Sequence, residues 1–209
     1  MNPVVEECKR SFFVHPLALV DSDQVGDRTR VWAFAHVMTG AQVGADCNIG
    51  EHVFIETGAR VGNNVTVKNG VSVWAQVTVE DNVFLGPHCV LTNDPNPRAY
   101  IKKPPETMHP TLIRANSTVG ANATVLCGIT VGRYAFIGAG AVVIRSLPDF
   151  ALVVGNPARQ IGWMCVCAHR LPLPVVPAEA HCVCPRCGRG FTATAYVRNH
   201  NYRVEITEE

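Results

Sequence analysis

The sequence predicts an all-β chain, a β-solenoid followed by a small cysteine-rich module. Three observations carry this prediction. Aliphatic residues recur at every sixth position from Leu19 to Leu91 and again from Ile113 to Val143, nineteen positions in all. The beat is interrupted once, between Leu91 and Ile113. Beyond residue 163 it stops, and five of the nine cysteines fall between 165 and 187.

Composition sets the outer bounds. A chain of 209 residues with 47% hydrophobic and 17% charged residues buries a proper core. A net charge of +1 gives no electrostatic reason to bind nucleic acid. No apolar run approaches a membrane span. The opening "MNPVVEECKRSFF" has early acids and no long apolar stretch, so a signal peptide is not expected and the cytoplasm is the default location.

The first arm of the beat runs Leu19, Val25, Val31, Val37, Val43, Ile49, Ile55, Val61, Val67, Val73, Val79, Leu85, Leu91. Helices want a period near 3.6 and simple strands a period of 2. A period of six, rich in Val, Ile and Gly, fits short strands joined by tight corners. Small or β-branched residues follow four positions later, as at Ala35, Cys47, Val53 and Cys89, so these two cysteines read as inert core. Glycine often follows the aliphatic, as at Gly44, Gly50, Gly62, Gly86, Gly120, Gly132 and Gly138, and suits corners through its tolerance of positive φ.

The break itself reads "TNDPNPRAYIKKPPETMHPTL" and occupies residues 92–112. Its length is not a multiple of six, so the segment must leave the coil, and long loops on rigid scaffolds often carry function. The second arm resumes at Ile113 and ends at Val143. After residue 163 come Cys165-x-Cys167 and Cys184-Pro-Arg-Cys187-Gly, two pairs suited to a closed tetrahedral Zn²⁺ site with a structural role. Cys182, His169 and His181 leave that ligand set ambiguous. The expected division is a solenoid over 1–163 and a zinc-ribbon-like module over 164–209.

These features resemble the left-handed parallel β-helix of the hexapeptide acyltransferases. The resemblance implies three hexads per coil, hence about six coils with residues 18 apart stacked. "VVGNPARQIG", residues 154–162 with Val153, resembles the tail signature of members that use acetyl-CoA. It implies a coenzyme A site along Gly138, Ala139, Gly140 and Ala141, with Asn156 and Arg159 alongside.

"VKNGVSVWAQVTVEDNVFLGPHCVLTNDPNPRA", residues 67–99, resembles the sugar-nucleotide N-acetyltransferases of that family. Their resemblance implies acetyl transfer to the 3-amino group of a UDP- or dTDP-linked sugar for polysaccharide synthesis, by a homotrimer with intersubunit sites. The implied catalytic residues are Asn93, which would hold the amine, and His88, a base candidate because imidazole titrates near neutrality. Lys68, Asn69, Glu80 and Arg98 are the implied substrate contacts, and Lys102 and Lys103 are further candidates for a diphosphate. Relatives are expected to carry an acid where Ala75 stands, one coil below Asn93. Trp74 reads as interface packing.

Other functions are weighed against this one. A γ-class carbonic anhydrase needs a close histidine pair that the chain lacks, and His52 and His88 are two coils apart. A non-catalytic trimeric solenoid scaffold, or a hexapeptide acyltransferase for another amine or alcohol, would differ in binding acetyl-CoA or in the loop.

Overall fold

The computed structural model describes residues 11–175, 179–198 and 201–208. Two-residue parallel strands stack into a three-sided prism. Val31 lies on Ile49, Ile49 on Val67, and Val67 on Leu85, each 18 residues apart. The second and third faces repeat this, with Val37 on Ile55 and Val43 on Val61. Across the loop the spacing widens to 34, as Leu85 on Val119 and Val79 on Ile113, and then returns to 18. The beat residues point inward, and Ile49, Ile55, Leu85, Leu91, Ile113 and Ile137 are fully buried. Burying each aliphatic side chain stabilises the stack by about 1.5–3 kcal/mol.

The first face carries eight rungs, from Phe13–Val14 to Ala151–Val154. The beat alone suggests about six coils, because the end coils depart from 18. Val14 pairs with Val31 at a spacing of 17, and Ile137 with Val153 at 16. Leu19 is the casualty of the short first coil. Its neighbour Val20 stacks on Val37 and is 9% exposed, while Leu19 is 53% exposed. A slip of one residue turns every strand side chain to the opposite face.

The corners also differ in detail from the sequence expectation. Positive φ falls on the third residue after most of the aliphatics, at Gly40, Gly58 and Gly140 but also at Phe34, His52, Gln76, His88 and Tyr134. The glycines directly after the aliphatics have another cause, the close approach of the next coil. A Cβ on Gly120 would stand 2.6 Å from the backbone nitrogen of Ala139. Gly120→Ala is therefore expected to cost about 1–3 kcal/mol, read as a lowered Tm with an unchanged circular dichroism spectrum.

At the C-terminal end Arg159–Met164 turns back antiparallel on Ala151–Val154, and Arg170–Leu171 pairs with it. A separate antiparallel sheet joins Ala180–Val183, Gly190–Arg198 and Asn201–Glu208. Phe150, Trp163, Leu171, Phe191 and Ile206 form one apolar cluster between the two. The Phe150 ring stacks on Tyr134 at 5.2 Å and meets Phe191 edge-on at 5.8 Å. The strand Arg159–Met164 thus runs through the expected boundary at 163/164, where packing is continuous. No helix among the described residues is long and apolar enough to cross a membrane.

Candidate functional site

The prism has three edges, and they sort the predicted residues. The first edge joins the first face to the second. Its corner residues stack through backbone hydrogen bonds: His52 N to Ala33 O, Gly70 N to Glu51 O, His88 N to Asn69 O, Asn122 N to Pro87 O and Gly140 N to Ala121 O. Lys68, Asn69, His88, Gly138, Ala139 and Gly140 therefore share one edge. His88 is exposed, in the left-handed conformation at φ 55, and its ring lies across Gly70, where a Cβ would collide with Nδ1.

Backbone amides at the edges show a contrast. On the third edge Ala45 N donates to Asn63 Oδ1 at 2.9 Å, Asn63 N to Asp81 Oδ1 at 2.6 Å, Ala115 N to Glu80 Oε2 at 2.8 Å and Arg133 N to Asp149 Oδ1 at 2.8 Å. On the first edge the corresponding amides of Ala121 and Ala139 have no acceptor among the described residues. Ala139 and Gly140 are exposed, and the space beside Gly140 is open. Ala141 points into the core, so it offers only backbone. A Cβ on Gly138 would meet Val154 Cγ1 at 2.8 Å, so packing alone requires that glycine. The turn that follows Val154 joins this edge, with Val142 N donating to Gly155 O and Ala158 N to Val142 O. Asn156 and Arg159 are exposed there, and among the described residues Arg159 Nη1 meets only the carbonyl of Ala158, at 3.4 Å.

The second edge joins the second and third faces, and the loop leaves from it. Asn93 is half-buried at the loop's root. The loop returns past it, with His109 N donating to Asn93 O at 3.1 Å and Thr111 N to Gln76 O. Lys103 Nζ reaches Asp94 Oδ1 at 2.6 Å and Asn96 O at 2.8 Å, stapling the loop. The Lys103 ammonium and the Asn96 amide hold the Asp94 carboxyl below its usual range. Lys103 is thus committed within the loop, while Arg98 and Lys102 are exposed. Tyr100 is 83% exposed at the tip.

His88 and Asn93 stand on different edges of the same coil. Five residues separate them, so one face width, on the order of 15 Å, lies between their backbones. Glu80 stands on the third edge, capping Ala115, away from both. Trp74 is partly buried on its own chain, its Nε1 on Leu91 O at 2.7 Å and its ring 5.7 Å from Phe54. Cys47 and Cys89 are buried, and desolvation pushes the Cys89 thiol up to about 12, so it stays protonated at neutral pH.

Two second-edge residues escaped sequence reasoning. His109 lies in the loop, where no period marks it. Glu56 was visible, because the 18-residue stack puts it under Trp74. Its carboxylate Oε2 accepts from Ala75 N at 2.7 Å. An acid thus stands beside Ala75, from the coil below.

In the tail, the sulfurs of Cys165, Cys167, Cys184 and Cys187 all lie within 4.8 Å of one another. Cys165 and Cys187 are 3.4 Å apart, Cys167 and Cys184 3.7 Å. Zn–S bonds near 2.3 Å in a tetrahedron put sulfurs about 3.8 Å apart, so the four residues fit such an ion. Cys182 is packed in the apolar cluster outside this group, and neither His169 nor His181 joins it. Burial opposes ionisation of Cys184, but the backbone amides of Cys187 and Arg186 and the thiols of Cys165 and Cys167 outweigh it and hold the thiol down to about 6.

Comparison with known proteins returns one family and a set of transferases. The family profile "bacterial transferase hexapeptide (six repeats)" matches residues 24–57, 58–93 and 110–145. A dTDP-3-amino-3,6-dideoxy-alpha-D-galactopyranose 3-N-acetyltransferase of Aneurinibacillus thermoaerophilus is 46% identical over 172 residues, 82% of this chain and 88% of the relative. The bifunctional protein GlmU of Trichodesmium erythraeum is 28% identical over 70% of this chain, which spans only 29% of that protein. A solved galactoside acetyltransferase in complex with coenzyme A has a TM-score of 0.50 at 23% identity, over 59% of this chain and 64% of the other, a likeness of fold alone.

Proposed function

This chain belongs to the bacterial hexapeptide transferases, and from that membership we propose that it transfers the acetyl group of acetyl-CoA to the 3-amino group of a nucleotide-linked amino sugar. The 46% identical relative is a 3-N-acetyltransferase of such a sugar. The observation that carries the reading is the division of chemistry between two edges. Small residues, with amides at Ala121 and Ala139 that find no acceptor among the described residues, line one edge, and Asn93 at the root of a protruding loop lies on the next.

Two edges a face apart do not form one site within a chain. They do when a second copy is placed beside the first by rotation about an axis parallel to the solenoid. Such a rotation keeps every coil at its own height. His88 of one copy then meets Asn93 of the next, because both belong to the same coil. Gly140 lies two rungs above His88, about 10 Å away along the axis. A pantetheine arm running down the first edge past Ala139 and Ala121 would bring its thioester toward that level. The exposed Tyr100 and Ile101 on the loop suit coverage by a neighbour. The assembly is a homotrimer, a ring in which every copy gives one edge to one neighbour and receives the other edge from the next.

The reaction needs a neutral amine held against the thioester carbonyl. The nitrogen–carbon bond forms, an oxyanion develops, and the carbon–sulfur bond breaks. The departing thiolate takes the proton released from nitrogen, directly or through His88. Asn93 holds the amine by its side-chain amide, and Lys68, Asn69 and Arg98 contact the nucleotide sugar. The work is placed in the cytoplasm, where acetyl-CoA and nucleotide sugars are available. The four cysteines hold a structural Zn²⁺, with no position left for water. They are Cys165, Cys167, Cys184 and Cys187.

A thiol-release assay with acetyl-CoA and a panel of UDP- and dTDP-linked 3-amino sugars tests the reading. Free CoA with a product heavier by one acetyl group is expected for one sugar. A protein that neither binds acetyl-CoA nor releases CoA is instead the non-catalytic scaffold, and turnover only with other amines or alcohols places it elsewhere in the family.

A further inference from the structure

Ala75 carries no functional group, yet the space beside it holds a carboxylate. Glu56 reaches up from the coil below and accepts from Ala75 N at 2.7 Å through Oε2. Ala75 stands 18 residues before Asn93, so this carboxylate lies about one rung, ~4.8 Å, beneath the level of Asn93. The half-buried Glu56 keeps its second oxygen without a partner among the described residues. A methyl group at position 75 leaves that oxygen uncovered on the outer side.

Capping alone explains one oxygen. Glu80 caps Ala115 in the same way on the third edge, and Thr92 Oγ1 caps Cys127 N at 2.9 Å with a neutral hydroxyl. A cap needs no charge, so the negative charge at Glu56 is in excess of the structural need. This edge also carries Asp21, Asp23 and Arg145, and the loop adds Asp94, Arg98, Lys102, Lys103, Glu106 and His109. Asp94 and Lys103 are paired with each other. Among the described residues no cation is paired with Glu56, the carboxylate beneath Asn93 at the root of the loop.

We propose that Glu56 is a substrate-contacting carboxylate that accepts a hydrogen bond from the amine of the acceptor sugar. The assignment rests on the amino-sugar reading above. The carboxylate would favour the amine over a hydroxyl at the same carbon. It would also stabilise the positive charge that appears on nitrogen as it attacks the thioester, where a preorganised charge acts most strongly. Asn93 from above and Glu56 from below would then fix the nitrogen between two rungs.

Glu56→Gln separates the two roles, because the glutamine oxygen still caps Ala75. The measurement is calorimetric binding of dTDP-3-amino-3,6-dideoxygalactose and of the same nucleotide sugar with a hydroxyl at C3. Wild type is expected to prefer the amine by about tenfold to a hundredfold, the range of a charge-assisted hydrogen bond. In Glu56→Gln that preference disappears, hydroxyl binding is unchanged and the Tm is retained. Glu56→Asn, also uncharged, gives the same readout if the glutamine variant does not fold. A preference that survives in the variant overturns the assignment and leaves Glu56 as a cap. Absence of binding of either sugar by wild type overturns the amino-sugar reading, and this assignment with it.

Discussion

Cys184→Ser will purify without metal and with its C-terminal module unfolded. Wild type will carry one zinc per chain by elemental analysis. The expectation follows from geometry and size. The four sulfurs converge within 4.8 Å from two turns that otherwise belong to different sheets. One turn follows the strand Arg159–Met164, and the other joins Ala180–Val183 to Gly190–Arg198. A three-stranded sheet with a core of a few apolar residues is too small to stand without a staple. Structural zinc supplies about 10–16 kcal/mol in comparable small modules. Without it the four thiols are left close together with nothing to hold them. Limited trypsin digestion is expected to trim Cys184→Ser past residue 164 while the solenoid persists. Cys182→Ser, outside the sulfur cluster, is expected to keep its zinc. Retention of a full equivalent of zinc by Cys184→Ser would show that the ligand set is wrong.

The same substitution reaches the proposed groove by contact. Phe150 and Trp163 belong to the apolar cluster of the tail, and Ala151–Val154 pairs with the last solenoid strand of the first face. Loosening the tail therefore loosens the turn that carries Asn156 and Arg159.

Much of the fold was legible because the period of six is a packing requirement. One aliphatic per face per coil fills the prism, so Val31, Ile49, Val67 and Leu85 announce their stack in one dimension. The ends were less legible. A coil of 17 residues looks the same as one of 18 when Leu19 and Val20 are both aliphatic, and only pairing with His36 and Val37 tells which one points inward. The glycines after the beat were visible but their cause was not, since close approach involves a coil 18 residues away. Two thiol pairs were plain from spacing, whereas the exclusion of Cys182 needed three dimensions. For the candidate site, the sequence pointed to residues one by one and not to their grouping. His88 and Asn93 are near in sequence, which suggests one site in one chain. A hexad is one face long, and that separates them. Glu56 was legible as the residue stacked under Trp74, but not the bond its carboxylate accepts from Ala75, 19 residues away.

That separation yields a second large effect. Asn93→Ala is expected to lower kcat by about 10²–10³-fold, the usual cost of removing a positioned amide at a reacting centre. Acetyl-CoA affinity should be unchanged, because the proposed groove lies on the other edge. Ala139→Trp is expected to do the converse. It fills the open space beside Gly140, where coenzyme A is proposed to lie, and is expected to abolish coenzyme A binding while leaving Asn93 intact. Each variant alone is inactive. Co-expressed in equal amounts, they are expected to form mixed copies of the proposed trimer in which some interfaces pair an intact second edge with an intact first edge. Random assembly gives such an interface about one time in four, so roughly a quarter of wild-type activity returns. If both edges served one site within a single chain, every site would carry one lesion and no activity would return. Recovery near a quarter with co-expression, and none when the separately purified trimers are mixed without exchange, would establish that two copies build each site.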